Sequence, residues 1–160
     1  MRLYLSNMTI STKGFTLAQL LIVIGIIIFV SLVTLPALGQ YTKDLELKNS
    51  TKEIISKLKL AQQYAVTEQV KHSLRFTPLD NSYYLIRKGE PETTLETSYL
   101  KETIYFASIS GLENNEVVFN SAGAVDLNGE VYLAHLYTEN QTLITIRPSG
   151  YVNWQVYQVP

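Results

Sequence analysis

Residues Leu20–Leu38 read LLIVIGIIIFVSLVTLPAL, and fourteen of these nineteen are Leu, Ile, Val or Phe. They lie inside a longer gap of 29 positions, between Lys13 and Lys43, that holds no charged residue. A bilayer core about 30 Å thick needs roughly 20 apolar helical residues. At roughly −0.3 to −0.6 kcal/mol per such residue near the membrane centre, insertion is favourable by about 4–8 kcal/mol before polar corrections. Ser31 and Thr34 are cheap to embed, because their hydroxyls bond back to carbonyls one turn earlier. A buried helix of a globular core is the competing reading, but the remaining chain is too small to wrap such a helix on all sides. The expectation is a single membrane span over about residues 17–39.

Outward from this stretch, the composition excludes several classes. The chain has 160 residues, no cysteine and a formal net charge of −1. That length allows one domain, or one small domain with an appendage. Near-neutral charge gives no reason to expect a nucleic-acid binder or a polybasic membrane-surface protein. Without cysteine there is no disulfide scaffold, thiolate metal site or cysteine nucleophile.

Three identities compete for the apolar segment. A cleaved secretory signal has a 7–15-residue apolar region; this run is longer, although Leu35-Pro36-Ala37-Leu38-Gly39 loosely imitates a cleavage end. An uncleaved signal anchor is the second. The third depends on the residues just before the run, Lys13-Gly14-Phe15-Thr16-Leu17. KGFTL followed by a long apolar helix resembles the prepilin leader of type IV pilins and type II secretion pseudopilins. The resemblance covers roughly residues 10–40 tightly and the rest loosely. It implies cleavage between Gly14 and Phe15 by a membrane prepilin peptidase, and N-methylation of Phe15. Pro36 matches the helix-kinking proline that such proteins commonly carry about twenty residues past the cut. One position departs: the family usually has glutamate at the fifth mature position, and here that is Gln19. Such a glutamate is thought to pair with a neighbouring subunit's N-terminal amine. Glutamine keeps the shape and a hydrogen bond but not the charge. That suits a low-copy subunit near a fibre tip; equally, it costs less to embed than Glu.

Charge counting opposes the orientation that this resemblance implies. Arg2 and Lys13 precede the span, whereas Lys43, Lys48, Lys52 and Lys57 follow it, which by itself puts the C-terminal side in the cytoplasm. Cleavage at Lys-Gly requires a cytoplasmic N-terminus, and the leader is given precedence.

After Gly39 the pattern becomes periodic. Leu47, Ile54, Leu58, Ala61 and Ala65 fall on one helical stripe, and no Gly or Pro occurs from Gln40 to Thr77. One helix is expected over residues 15–70, bent or loosened at Pro36 and Gly39. Its second half serves as a spine for a head over 71–160; a coiled-coil partner is the alternative. In that head the period drops to two. Leu74 and Phe76 alternate with Arg75 and Thr77, Pro78–Asn81 is a turn, and Ser82–Lys88 returns. Gly89–Ser98, acidic and with Pro91, reads as an exposed loop. Short strands follow at 104–110, 116–120, 130–137, 142–147 and 151–158, with Asn128-Gly129 as a tight turn. The class is α+β: a long N-terminal helix, membrane-spanning in its first half, packed on a small antiparallel β head. The spacing of FNSAG…ITIRPSGYV is similar to H-type minor pseudopilins, whose heads are two small sheets. The domains are thus 1–14 as leader, 15–70 as helix and 71–160 as head.

No catalytic motif stands out, and none of a nucleophile elbow, P-loop or HExxH is present. His72 and His135 read as surface or strand residues rather than ligands. Asp126, Asn128 and Glu130 alternate around a glycine turn but lack the oxygen spacing of a calcium loop. From Lys71 onward, six basic and ten acidic residues leave the head at about −4, so nucleic acid is not expected as a partner. No cofactor, metal or enzymatic activity is expected. The resemblance implies a structural minor pilin or pseudopilin of a short fibre, used in type II secretion, competence or type IV pilus biogenesis. Its implied partners are the prepilin peptidase, other pilin or pseudopilin subunits, the membrane assembly platform with its ATPase, and inner-membrane lipid. Gly25 offers a close-packing point between helices. The implied location is the cytoplasmic membrane, single-pass, with the N-terminus cytoplasmic and the head extracytoplasmic, and then the fibre. The alternative is a membrane-anchored module whose β domain binds a ligand, ion or DNA.

Overall fold

A computed structural model of the chain describes residues 14–158; the leader up to Lys13 lies outside the described residues, as do the side chains at 33, 35–37 and 157–158. Two compact units divide between Gly39 and Gln40.

Helix α1 runs over Leu17–Glu68, through Pro36 and Gly39 without interruption. It starts two residues later than the periodicity suggests, because Thr16 caps it. The Thr16 hydroxyl accepts from the Gln19 N–H at 3.3 Å, and the Gln19 side-chain oxygen accepts from the Thr16 N–H at 2.9 Å. This is the reciprocal capping box of a T-x-x-Q sequence. The helix ends at Glu68 because Gln69 takes a left-handed φ of 55°. The Gln69 amide donates to the Val66 carbonyl at 2.7 Å, satisfying one of the last carbonyls.

In the unit from Gln40 onward, the second half of α1 packs on two antiparallel four-stranded sheets. The strands are β1 (His72–Thr77), β2 (Ser82–Arg87), β3 (Thr93–Tyr99), β4 (Ile104–Ser110), β5 (Glu116–Phe119), β6 (Gly129–His135), β7 (Asn140–Ile146) and β8 (Val152–Gln158). Their orders are β3-β2-β1-β5 and β4-β6-β7-β8. This is the α+β class expected, with two small sheets. Leu47, Ile54, Leu58, Ala61 and Ala65 are all buried, as their helical spacing requires. They meet Leu74, Phe76, Tyr83 and Phe119 of one sheet and Val131, Leu133, Ile144 and Ile146 of the other in one core. The helix is also bonded to each sheet. Thr51 and Thr142 share a buried hydroxyl–hydroxyl bond of 2.6 Å, and Tyr83 donates to Glu53 at 2.9 Å.

Two expectations are corrected. The acidic stretch 89–98 is not simply a loop: Thr93–Tyr99 forms β3 and pairs with β2, Tyr83 opposite Ser98 and Arg87 opposite Thr93. Its Thr, Leu and Tyr residues suit a strand, and its acidic side chains suit an edge, where charge blocks further pairing. Glu96 is held in an ion pair by Lys57 of α1. Asn128-Gly129 is not a hairpin turn either. Asn128 ends the connection that carries the chain from one sheet to the other and Gly129 opens β6, since β5 pairs with β1 whereas β6 pairs with β4 and β7. Glycine is needed here for proximity: a Cβ on Gly129 would run into the Leu112 side chain, and one on Gly111 into the Asn128 carbonyl.

Candidate functional site

The N-terminal segment presents apolar side chains to its surroundings. Phe15, Leu17, Phe29 and Leu32 are each at least 70% exposed, and every residue from Leu20 through Val30 is exposed. Ser31 donates to the Ile27 carbonyl at 2.7 Å and Thr34 to that of Val30 at 2.9 Å, so neither hydroxyl needs another partner. Among the described residues no helix is long and apolar enough to cross a membrane. The unbroken run with described side chains, 17–32, is shorter than the roughly 20 residues a span needs. The sequence continues apolar to Leu38, but the side chains of Val33, Leu35, Pro36 and Ala37 lie outside the described residues.

Gly14 and Phe15 lie just ahead of the helix and are exposed. Gln19 sits beside them in the first turn and is occupied with capping. Gly25 and Gly39 have open space where a Cβ would stand. The T-x-x-Q signal of the capping box was present in the sequence, within the same residues that suggested a departure from the pilin pattern.

In the head, the two glycine loops are drawn together by a residue that no motif marked. The Gln62 amide donates to the carbonyls of Gly123 at 2.7 Å and Gly150 at 3.2 Å. Both glycines have left-handed φ, 77° and 76°. Val125 N–H donates to the Pro148 carbonyl at 2.9 Å, and the Asn120 side chain accepts from the N–H groups of Ala122 and Ala124. FNSAG and RPSG are thus two turns of one latch on α1. The turns were legible locally; the helix residue joining them was not.

An ion-pair box covers β1, β2 and β5. The nearly buried Glu116 carboxylate meets Arg75 at 3.1 Å and Lys88 at 2.8 Å, and both cations also reach Glu92. Burial pushes the Glu116 carboxyl up, but hydrogen bonds from Lys88, Ser73 and Arg75 outweigh it and hold the group below the usual carboxylate range.

Both histidines are buried at strand ends rather than on the surface. The His72 Nδ1 donates to the Val70 carbonyl at 2.9 Å, while the His135 Nδ1 accepts from the Tyr137 N–H at 3.1 Å. The His135 Nε2 faces Glu46 at 3.5 Å. Hydrogen bonding from Thr103 and the charge of Lys101 hold the Glu46 carboxyl below its ordinary range. Asp126 lines a recess with Glu113 and Glu116, whereas Glu130 accepts from the Tyr132 hydroxyl. Among the described residues no three His, Asp or Glu side chains converge as a metal site would require.

A more open recess, about 580 Å³, is lined by Gln40, Lys43 and Asp44 of α1 and by the turn 136–140 between β6 and β7. Asn140 donates to Asp44 at 2.7 Å, and the Lys43 ammonium lies 5.7 Å from the Tyr137 ring centroid.

No family model and no curated protein matches the sequence. Solved structures do match the fold. The minor pseudopilin EpsH from the type 2 secretion system of Vibrio cholerae is similar with a TM-score of 0.60 and 14% identity, over 69% of this chain and 96% of that one. The type IV minor pilin FimU of Pseudomonas aeruginosa is similar with a TM-score of 0.58 and 13% identity, over 72% of this chain and 92% of that one. The chain has the pilin-like fold of a minor pilin or pseudopilin.

Proposed function

We propose that this chain is a minor pilin-like subunit of a short pilus or pseudopilus. One observation carries the reading: a helix whose first part presents uncovered apolar side chains from Leu17 to Leu32, joined in sequence to a pilin-like head. The prepilin peptidase cuts between Gly14 and Phe15, whose exposure just ahead of the first helical turn suits a protease. Phe15 is then N-methylated. Residues from about 17 to 39 hold the subunit in the cytoplasmic membrane, with the head on the far side. The platform protein and its ATPase draw it into a fibre serving type II secretion, competence or pilus biogenesis.

The driving physics is a small difference. Apolar helices leave lipid for a helical bundle of similar polarity, so the transfer costs little and packing decides the outcome. Gly25 supports this. A helix-interior glycine costs about 1 kcal/mol relative to alanine, and open space surrounds this one within the chain. Its use then lies between chains, where a missing side chain lets two helices approach. Gln19 satisfies the first turn by itself and brings no charge to a neighbour's amine, which suits a subunit placed once rather than a repeating one. The role is structural, with no catalytic step and no cofactor.

The test is the intact mass and N-terminal residue of the protein from membranes, with and without a co-expressed prepilin peptidase. An N-methylated Phe15 that appears only with the peptidase is expected. A chain that still begins at Met1, or is cut near 37–39, would refute the reading.

A further inference from the structure

We infer that the outer edge of β8 is a docking site for an extended, uncharged strand of another protein chain, added antiparallel to the second sheet. The inference concerns the head alone and holds whether or not the N-terminal segment spans a membrane. The sheet edges are β3, β5, β4 and β8. An edge strand leaves a row of backbone N–H and C=O groups unpaired, and proteins blunt such rows with charge, bulges or very short strands. All of these edges but β8 are blunted. β3 carries Glu96 and a register shift opposite Leu85 and Ile86. β4 has a shift between Phe106 and Ser108. β5 is four residues long, and its Phe119 is bridged to Val125. The seven residues of β8, by contrast, pair with β7 in one unshifted register. No charged residue occurs from Pro148 to Pro160. Among the described residues no strand or bridge covers the outer side of β8.

The bonding pattern fixes what this edge offers. The Arg147 N–H donates to the Tyr151 carbonyl at 3.0 Å, so that pair is a bonded one. Bonded and non-bonded pairs alternate along an antiparallel ladder. Asn153 and Gln155 therefore bond to Thr145 and Leu143 of β7, while Val152, Trp154 and Val156 turn their N–H and C=O groups outward. The side chains of these same residues share one face of the sheet. Val152 and Trp154 pack on the core, but Val156 is 41% exposed. The apolar face is thus unfinished at this edge, and a strand laid along it both extends the ladder and covers Val156.

Charge selects the occupant. β8 has no cation or carboxylate to match a charged residue, so burying one beside Trp154 and Val156 would leave it unpaired. Uncharged β-branched or aromatic residues opposite them gain cross-strand packing. The backbone ladder supplies affinity and these side chains supply selectivity, as strand addition does elsewhere.

The probe is a capped synthetic peptide with the sequence of β7, Asn140–Ile146, which is uncharged and already pairs with β8 on its other side. It is titrated into the full chain in detergent, and binding is followed by the emission of Trp154, the single tryptophan. Two N-methylated versions separate a ladder from simple apolar adsorption. In the register that β7 uses, methyl groups on the peptide residues equivalent to Thr142 and Ile144 block the bonds to β8. Methyl groups on those equivalent to Gln141 and Leu143 face away. Saturable binding is expected, weakened about tenfold or more by the first pair of methyl groups and little by the second. Val156→Pro removes an outward donor without breaking the β7 ladder, and should weaken binding to a similar degree. Amide exchange gives a readout that needs no variant. The Trp154 and Val156 amides should exchange fast in the free chain and slow by about tenfold or more with peptide, while those of Asn153 and Gln155 are slow in both. No saturable binding at millimolar peptide, or equal binding of the two methylated peptides, overturns the proposal. Trp154 and Val156 amides already protected without peptide overturn it as well; protection that is lost on dilution means that a second copy of this chain holds the edge.

Discussion

Gln62→Ala tests the latch that joins α1 to both glycine loops. The substitution strips a donor from two carbonyls, one bonded at 2.7 Å and one at 3.2 Å. A net hydrogen bond contributes about 0.5–1.5 kcal/mol. Gln62 is half-buried, so water partly replaces it, and the expected loss is about 1–2 kcal/mol. With a urea dependence of about 1–3 kcal/mol per molar, the midpoint falls by about 1 M. The assay is urea unfolding of the full chain in detergent, read by the emission of Trp154, the single tryptophan, which packs on the core. Gly150→Ala makes the geometry explicit. Its new Cβ would meet both the Gly123 carbonyl and the Gln62 amide, and its left-handed φ of 76° costs a further ~1–2 kcal/mol. Because Gln62→Ala clears one of those two obstructions, the double variant should lose less than the sum of the singles, by about 0.5 kcal/mol or more. A midpoint unmoved by Gln62→Ala, together with strictly additive losses, would refute the latch.

Other outcomes follow from the same structure. Leu58→Ala, at a fully buried position of the helix stripe, should cost about 2.7–5 kcal/mol by the same unfolding assay. Glu116→Gln should destabilise most at neutral pH. The native Glu116 pKa is depressed, so its contribution is complete above the unfolded carboxylate pKa and is lost as pH falls through the native one. The gap between wild type and variant, measured as urea midpoints from neutral to acid pH, should therefore close in acid. Gln19→Ala should raise amide exchange at Thr16, whose N–H loses its side-chain acceptor while the Thr16 hydroxyl cap stays; Gln19→Glu should restore protection, since either side chain closes the box with Thr16.

Local pattern reached a long way in this chain. The apolar run and the charge gap are properties of adjacent residues, and so is the capping signal at Thr16 and Gln19. The stripe from Leu47 to Ala65 was legible because a helix repeats every 3.6 residues, so burial of one position implies burial of the next on that face. Pro78–Asn81 and Pro148–Gly150 turn the chain through their own backbone preferences, and the two-residue period of the head already called for antiparallel strands.

Which strands meet is decided over distances that no local pattern spans. Thr93–Tyr99 becomes a strand because the outer edge of β2 is open to it, and its acidic composition concealed that. Asn128-Gly129 has the dipeptide of a hairpin turn but joins two sheets, because β6 finds its partners in β4 and β7. His72 and His135 are buried because backbone groups at strand ends satisfy one ring nitrogen of each. Gln62 becomes a latch only when residues 61 and 88 positions away arrive at its amide. Periodicity and turn chemistry act between neighbours, and so the sequence determined the helix, the head's β character and the uncovered apolar face. Pairing, burial of polar groups and the placing of loops depend on contacts closed across the whole chain, and those the tertiary structure alone decided.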